Sequence, residues 1–90
     1  MEYNLYLKSD DVYPWDTEEL RTLGPWHIAS NIEEFAGYIK AFGIPTIVSM
    51  YGTQAIEAAI ELMTACSTID APLPTCYGTK EALEYINLMQ

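Results

Sequence analysis

Basic residues are scarce in this chain: Lys8, Arg21, Lys40 and Lys80 stand against 13 acids, for a formal net charge of −9. The isoelectric point near 4.1 follows. Affinity for nucleic acid comes mainly from Lys and Arg displacing counterions, so four bases argue against direct DNA or RNA binding. The same field repels anionic lipid and steers basic partners in. Histidine occurs once, as His27, and cysteine twice, as Cys66 and Cys76. Two cysteines are too few for a disulfide framework, and nine intervening residues do not match a CxxC redox or zinc pair. They read as small apolar core residues. One histidine without clustered cysteines argues against zinc, and Asp10, Asp11 and Asp16 lack the spacing and central glycine of a calcium loop. No metal or cofactor is therefore expected. Long apolar runs are also missing, and Met1 is followed by Glu2 without a basic start, so neither a signal peptide nor a membrane span is expected and the chain reads as cytoplasmic.

What remains is apolar and aromatic. Half of the 90 residues are hydrophobic, 12% are aromatic and seven are tyrosines. That composition lies far from the signature of disorder, so residues 1–90 are expected to form one compact domain, burying roughly two-thirds of the surface of the unfolded chain.

The strongest local pattern spans residues 44–66. A β-branched run, Ile44-Pro45-Thr46-Ile47-Val48-Ser49-Met50, enters a Tyr51-Gly52-Thr53 turn and continues as an apolar helix. Consecutive apolar residues predict a strand buried on both faces, as in the centre of a parallel sheet. The helix has a polar stripe at Glu57, Glu61 and Thr64, and the rest of it is expected to be at least half-buried. Its alanines 55, 58, 59 and 65 would allow close packing. The turn recurs as Tyr77-Gly78-Thr79, and behind it Ile86, Leu88 and Met89 echo Ile60, Leu62 and Met63. Two stacked strand-helix units are expected.

Upstream, residues 2–8 alternate, with Tyr3, Leu5 and Leu7 on one face, and predict a strand. A loop with Pro14 follows. Asp16 and Glu19 have capping-box spacing for a short helix over about 17–23, which Gly24 and Pro25 end. Trp26 and His27 are read as a connection. Ser30 and Glu33 predict a second capping box, opening a helix with Ile32, Phe35, Ala36, Ile39 and Phe42 on its buried stripe. Gly37 in its interior costs up to about 1 kcal/mol relative to Ala, which close packing against a neighbour would explain. After Pro72 and Pro74, a very short strand at 75–77 is expected at an edge. A final helix over about 79–89 must dock through Ala82, Tyr85, Ile86 and Met89. The order β-α-α-β-α-(β)-α predicts a small α/β (or α+β) domain, with a sheet of two to three strands covered by about four helices.

Few residues suggest chemistry. A catalytic unit would need His27 with Cys66 or Cys76, and nothing in their spacing brings them together, so no catalytic residue is assigned and the chain does not read as an enzyme. The acidic pairs Glu18/Glu19, Glu33/Glu34 and Glu57/Glu61 fit solvated helix faces. The Tyr-Gly-Thr turns could bind a small ligand or phosphate through Tyr51, Gly52, Thr53, Tyr77, Gly78 and Thr79, since helix N-termini at strand ends attract anions. Ordinary capping by Thr53 and Thr79 is the simpler explanation, since neither turn resembles a phosphate-binding glycine motif.

The most distinctive surface is acidic. Asp10, Asp11, Asp16, Glu18 and Glu19 fall within ten residues with no base among them, interleaved with Val12, Tyr13, Pro14 and Trp15. Aromatics anchor interfaces and charge steers encounters, so Asp10, Asp11, Tyr13, Trp15, Asp16, Glu18 and Glu19 are the expected partner-binding residues. The leading expectation is a non-enzymatic binding module for a protein with a basic surface. Such a module could inhibit an enzyme by occupying its nucleic-acid site, as phage-type anti-restriction and anti-CRISPR proteins do. A small-ligand domain is the first alternative. The second is an assembly subunit or homodimer using Trp15, Trp26 and tyrosines, where association would enlarge a small core.

Overall fold

A computed structural model of the chain describes residues 2–8, 21–22 and 25–89. Four strands, β1 (Asn4–Leu7), β2 (His27–Ala29), β3 (Ile47–Met50) and β4 (Thr75–Gly78), form one sheet in the order β2-β1-β3-β4. Every pairing is parallel. Three complete helices accompany them: α1 (Ile32–Phe42), α2 (Ala55–Thr68) and α3 (Lys80–Met89). The domain is thus α/β, and its sheet has one strand more than the two or three expected. The expected helix over 17–23 lies outside the described residues except for Arg21 and Thr22, which are helical.

The extra strand is β2, in the segment read as a connection. His27-Ile28-Ala29 follows a proline and a tryptophan and carries almost no alternation of its own. Its pairing with β1, in the register Leu5↔His27 and Leu7↔Ala29, makes it a strand. Tertiary context decides here, as it often does for short strands. β4, by contrast, lies at the sheet edge as its two preceding prolines require.

Alternation along the strands sorts the sheet into two faces. Leu5, Leu7, Ala29, Val48 and Met50 share one face and join Phe35 and Ile39 of α1, Ala58, Ala59, Leu62 and Cys66 of α2, and Ala82 and Ile86 of α3 in a single core. α2 is the middle helix, touching both α1 and α3. Its buried positions are Ala55, Ala58, Ala59, Leu62 and Cys66, so small side chains bring it close to β3. The other face carries the row Ile28, Tyr6, Ser49 and Tyr77 across all four strands.

Helix ends depart from expectation by one residue. The N-cap of α1 is Asn31 rather than Ser30: its Oδ1 accepts from the Glu34 backbone N–H at 2.9 Å. Glu34 Oε1 in turn accepts from the Ser30 N–H at 3.1 Å. Glu33 and Glu34 in the first turn and Lys40 in the last also suit the helix dipole. Gly43, at φ 87°, ends the helix with its N–H on the Ile39 carbonyl. Gly37, expected to allow close packing, instead faces open space.

Two helix faces are more open than expected. On α2, Ile56 and Ile60 are exposed, although that flank was expected to be at least half-buried. On α3, Ala82 and Ile86 are buried as expected, whereas Met89 is 59% exposed. A single sheet face cannot cover the outer flanks of three helices.

Candidate functional site

In open parallel sheets, ligands gather outside the carboxyl ends of the strands, where the strand order reverses. Here that point lies between β1 and β3, which are neighbours although β2 comes between them in sequence. Lys8 leaves β1 on one side, and Tyr51 leaves β3 on the other. The first Tyr-Gly-Thr turn is therefore at the centre of this edge, and the second is at the outer strand.

At the first turn, Gly52 takes φ 90°, and both Gly52 and Thr53 are exposed. Thr53 does not cap α2. The cap position belongs to Gln54, whose side chain makes no cap bond to its own helix. Its Oε1 instead accepts from the Ile32 N–H at 3.1 Å, at the start of α1. One side chain thus ties the two helix N-termini together at the central edge of the sheet. Glu57 in the first turn of α2 already answers the positive end of that helix, so a phosphate would meet a like charge there.

The second turn is consumed by the fold. Thr79 donates its N–H to the Met50 carbonyl at 2.9 Å, and its Oγ1 accepts from the Ala82 N–H at 3.3 Å, so it caps α3 as predicted. Gly78 has φ 156°, and a Cβ there would collide with the Met50 backbone carbonyl. Close approach of backbone to backbone requires glycine at this position.

Behind the first turn, Tyr6 packs against Tyr51 and Trp26, each with ring centroids 5.9 Å away. Trp26 is half-buried there, rather than presenting a free aromatic face. Beside Tyr6 in the register row lies Ser49, which is fully buried. Its hydroxyl finds no hydrogen-bond partner among the described residues. Such a group costs about 1–3 kcal/mol. No sequence pattern announces it, since a serine in a β-branched run looks like an ordinary strand residue.

The remaining candidate chemistry is dispersed. His27 and Cys76 occupy one register row through Leu5 and Val48, but on opposite edge strands. Three strand spacings of about 4.8 Å separate them by roughly 14 Å. His27 sits instead in a ring cluster, 5.5 Å from Tyr3 and 5.6 Å from Tyr38. Burial, and then the neighbouring Cys66, push the Cys76 thiol up to about 11, and burial also raises Cys66. Neither is a ready nucleophile at neutral pH. Burial likewise pushes Tyr3 up to about 12, and its hydroxyl donates to the Gly43 carbonyl at 2.7 Å. Among the described residues, no three His, Cys, Asp or Glu side chains converge as a metal site would require. No helix among them is long and apolar enough to cross a membrane.

The expected partner-binding residues Asp10, Asp11, Tyr13, Trp15, Asp16, Glu18 and Glu19 lie outside the described residues. The acids that are described all sit at the surface: Glu2, Glu33, Glu34, Glu57, Glu61, Asp70, Glu81 and Glu84 are exposed. One ion pair occurs among them, Lys80 to Glu84 at 3.8 Å, between largely exposed side chains. Compared with protein-family models, curated proteins and solved structures, the chain matches none.

Proposed function

We propose that this protein is a small acidic binding module that engages a partner protein through that partner's basic surface and performs no chemistry of its own. The observation that carries this reading is the exposure of every described carboxylate, with a single solvent-exposed ion pair to offset them. Exposed pairs of that kind contribute at most about 1 kcal/mol, so the charge stays available to a partner. Six of these acids stand on the helical layer, and the acid- and aromatic-rich stretch at 10–19 adds five more. Inhibition of a nucleic-acid enzyme by occupying its basic site is the specific form of this activity that the charge favours. The test is to change Asp10, Asp11, Asp16, Glu18 and Glu19 together to their amides and measure partner binding against salt. Weaker binding with a flatter salt dependence is expected, and unchanged binding would rule out that stretch as the contact.

A second reading, a small-ligand site at Tyr51, Gly52 and Thr53, is favoured by one observation. The unpartnered Ser49 hydroxyl lies in the row beside Tyr6, under the edge where the strand order reverses. A polar ligand atom reaching Ser49 would make Ser49→Ala weaken binding. Gly78 and Thr79 have no part in this reading, since both are committed to the fold.

A further inference from the structure

We infer that the groove between α2 and α3 receives a basic amphipathic helix of a partner protein. This rests on the acidic-module reading and names the surface and partner chemistry it uses. The groove encloses about 400 Å³ and is lined chiefly by Ile60, Met63, Ser67, Tyr85 and Met89. Ile60 is 42% exposed and Met89 is 59% exposed, and Leu88 on α3 is 82% exposed. Large apolar side chains on two adjacent helices are therefore left in water. Methionines bend to fit irregular partners, and a tyrosine supplies a rigid anchor.

Charge selects the occupant. The two helices that form the groove carry Glu57, Glu61, Glu81 and Glu84 and one base, Lys80, already facing Glu84. Residues three or four apart are neighbours on a helix, which sets Glu57 beside Ile60, Glu81 beside Tyr85 and Glu84 beside Leu88. The groove floor is thus uncharged, and carboxylates outnumber the single base on the two helices that flank it, the complement of a helix with Leu on one stripe and Lys or Arg beside it. α2 and α3 each follow a strand of one parallel sheet, so they run the same way and leave a straight furrow for a third helix. The other groove beside α2, of about 440 Å³ against α1, is lined by both Lys40 and Glu61, so its own charges offset and it is less suited to a basic partner. A second copy of this chain would bring net charge −9 against −9.

The probe is a fluorescent synthetic peptide of about 15 residues, long enough to form a helix, with Leu and Lys at amphipathic spacing. Binding is measured by anisotropy at low salt, with an equally amphipathic Leu/Glu peptide as control. The Lys peptide is expected to bind and the Glu peptide to fail. A variant combining Ile60→Ser and Met89→Ser changes two exposed side chains, and its thermal melting checks the fold. Its affinity for the Lys peptide is expected to drop at least about tenfold. Equal affinity in that variant overturns the groove. If the amide variant of the acids at 10–19 alone loses the peptide, the acidic module stands and the groove is wrong. Absence of any peptide binding to the unaltered protein overturns the groove, while the charge test on the 10–19 acids decides the broader reading. Self-association that the serine pair abolishes would place a second copy in the groove and overturn the partner assignment.

Discussion

The same three residues, Tyr-Gly-Thr, occur twice in this chain and do different work. At 51–53 they leave a central strand, Gly52 and Thr53 stay exposed, and the N-cap position falls to Gln54, whose side chain leaves its own helix uncapped and reaches across to α1. At 77–79 they leave an edge strand, press glycine against Met50 and cap α3 with threonine. The difference is one residue of phase. α2 begins two residues after Thr53 and α3 one residue after Thr79. The buried faces are further out of phase: Ala58 and Leu62 of α2 answer to Ala82 and Ile86 of α3, a spacing of 24 residues (82−58 and 86−62) against 26 between the turns (77−51). Two residues turn a helix by about 200°. The echo of Ile60, Leu62 and Met63 in Ile86, Leu88 and Met89 is therefore inverted in space: Leu62 is buried where Leu88 is exposed, and Ile60 is exposed where Ile86 is buried. A sequence repeat preserved the order of elements and not the faces they present.

The largest test of this contrast is a pair of glycine substitutions. Gly78→Val should cost roughly 4 kcal/mol or more, combining a backbone collision with a disfavoured φ. Gly52→Ala, at φ 90°, should cost about 1–2 kcal/mol for the disfavoured backbone conformation. Urea midpoints compare them, and equal losses would erase the distinction between the turns. The threonines come next. Thr79→Ala should cost about 1 kcal/mol as a lost cap, and Thr53→Ala less than about 0.5 kcal/mol. Ser49→Ala, behind the first turn, should raise stability by about 1 kcal/mol in the isolated protein by removing an unsatisfied hydroxyl. A loss instead would mean that the hydroxyl is paired in solution.

The stability carried by Cys76 and Tyr3 changes only in alkali. Cys76 and Tyr3 have folded pKa values raised to about 11 and about 12, from ordinary values of 9.0 and 10.0. Their protonated forms are favoured in the folded state, so the associated stability is fully present below the ordinary values. It is lost as pH rises through about 11 and then about 12. Tyr3→Phe should remove the upper part of this alkaline loss in denaturation midpoints, while giving up the hydrogen bond to Gly43 at every pH.

Much of the fold was legible because strong patterns carried it. The β-branched run before Tyr51 specified a buried central strand, and the prolines before Thr75 specified an edge. Alternation in residues 2–8 specified β1. What escaped had no decisive local signal: β2 exists because β1 offers its edge, and Asn31 rather than Ser30 caps α1 because the helix starts at Ile32, one residue later than the Ser30/Glu33 capping box implied. Strand order places His27 and Cys76 on opposite edges, a separation that spacing along the chain did not specify. On the functional side, total acidity was visible from composition alone. The exposed apolar flank of α2 was not, because periodicity marks which residues can be buried, and only the packing of neighbouring helices decides which are.

The claim that unneutralised charge is what this molecule offers a partner is tested most directly on the helical layer itself. Glu57, Glu61, Glu81 and Glu84 can be changed together to Gln without disturbing a buried contact, and relieving self-repulsion should leave the fold intact. Affinity for the basic amphipathic peptide is then measured across a salt series. The account predicts weaker binding and a flatter salt dependence in the Gln variant, and unchanged affinity with an unchanged salt slope would contradict it.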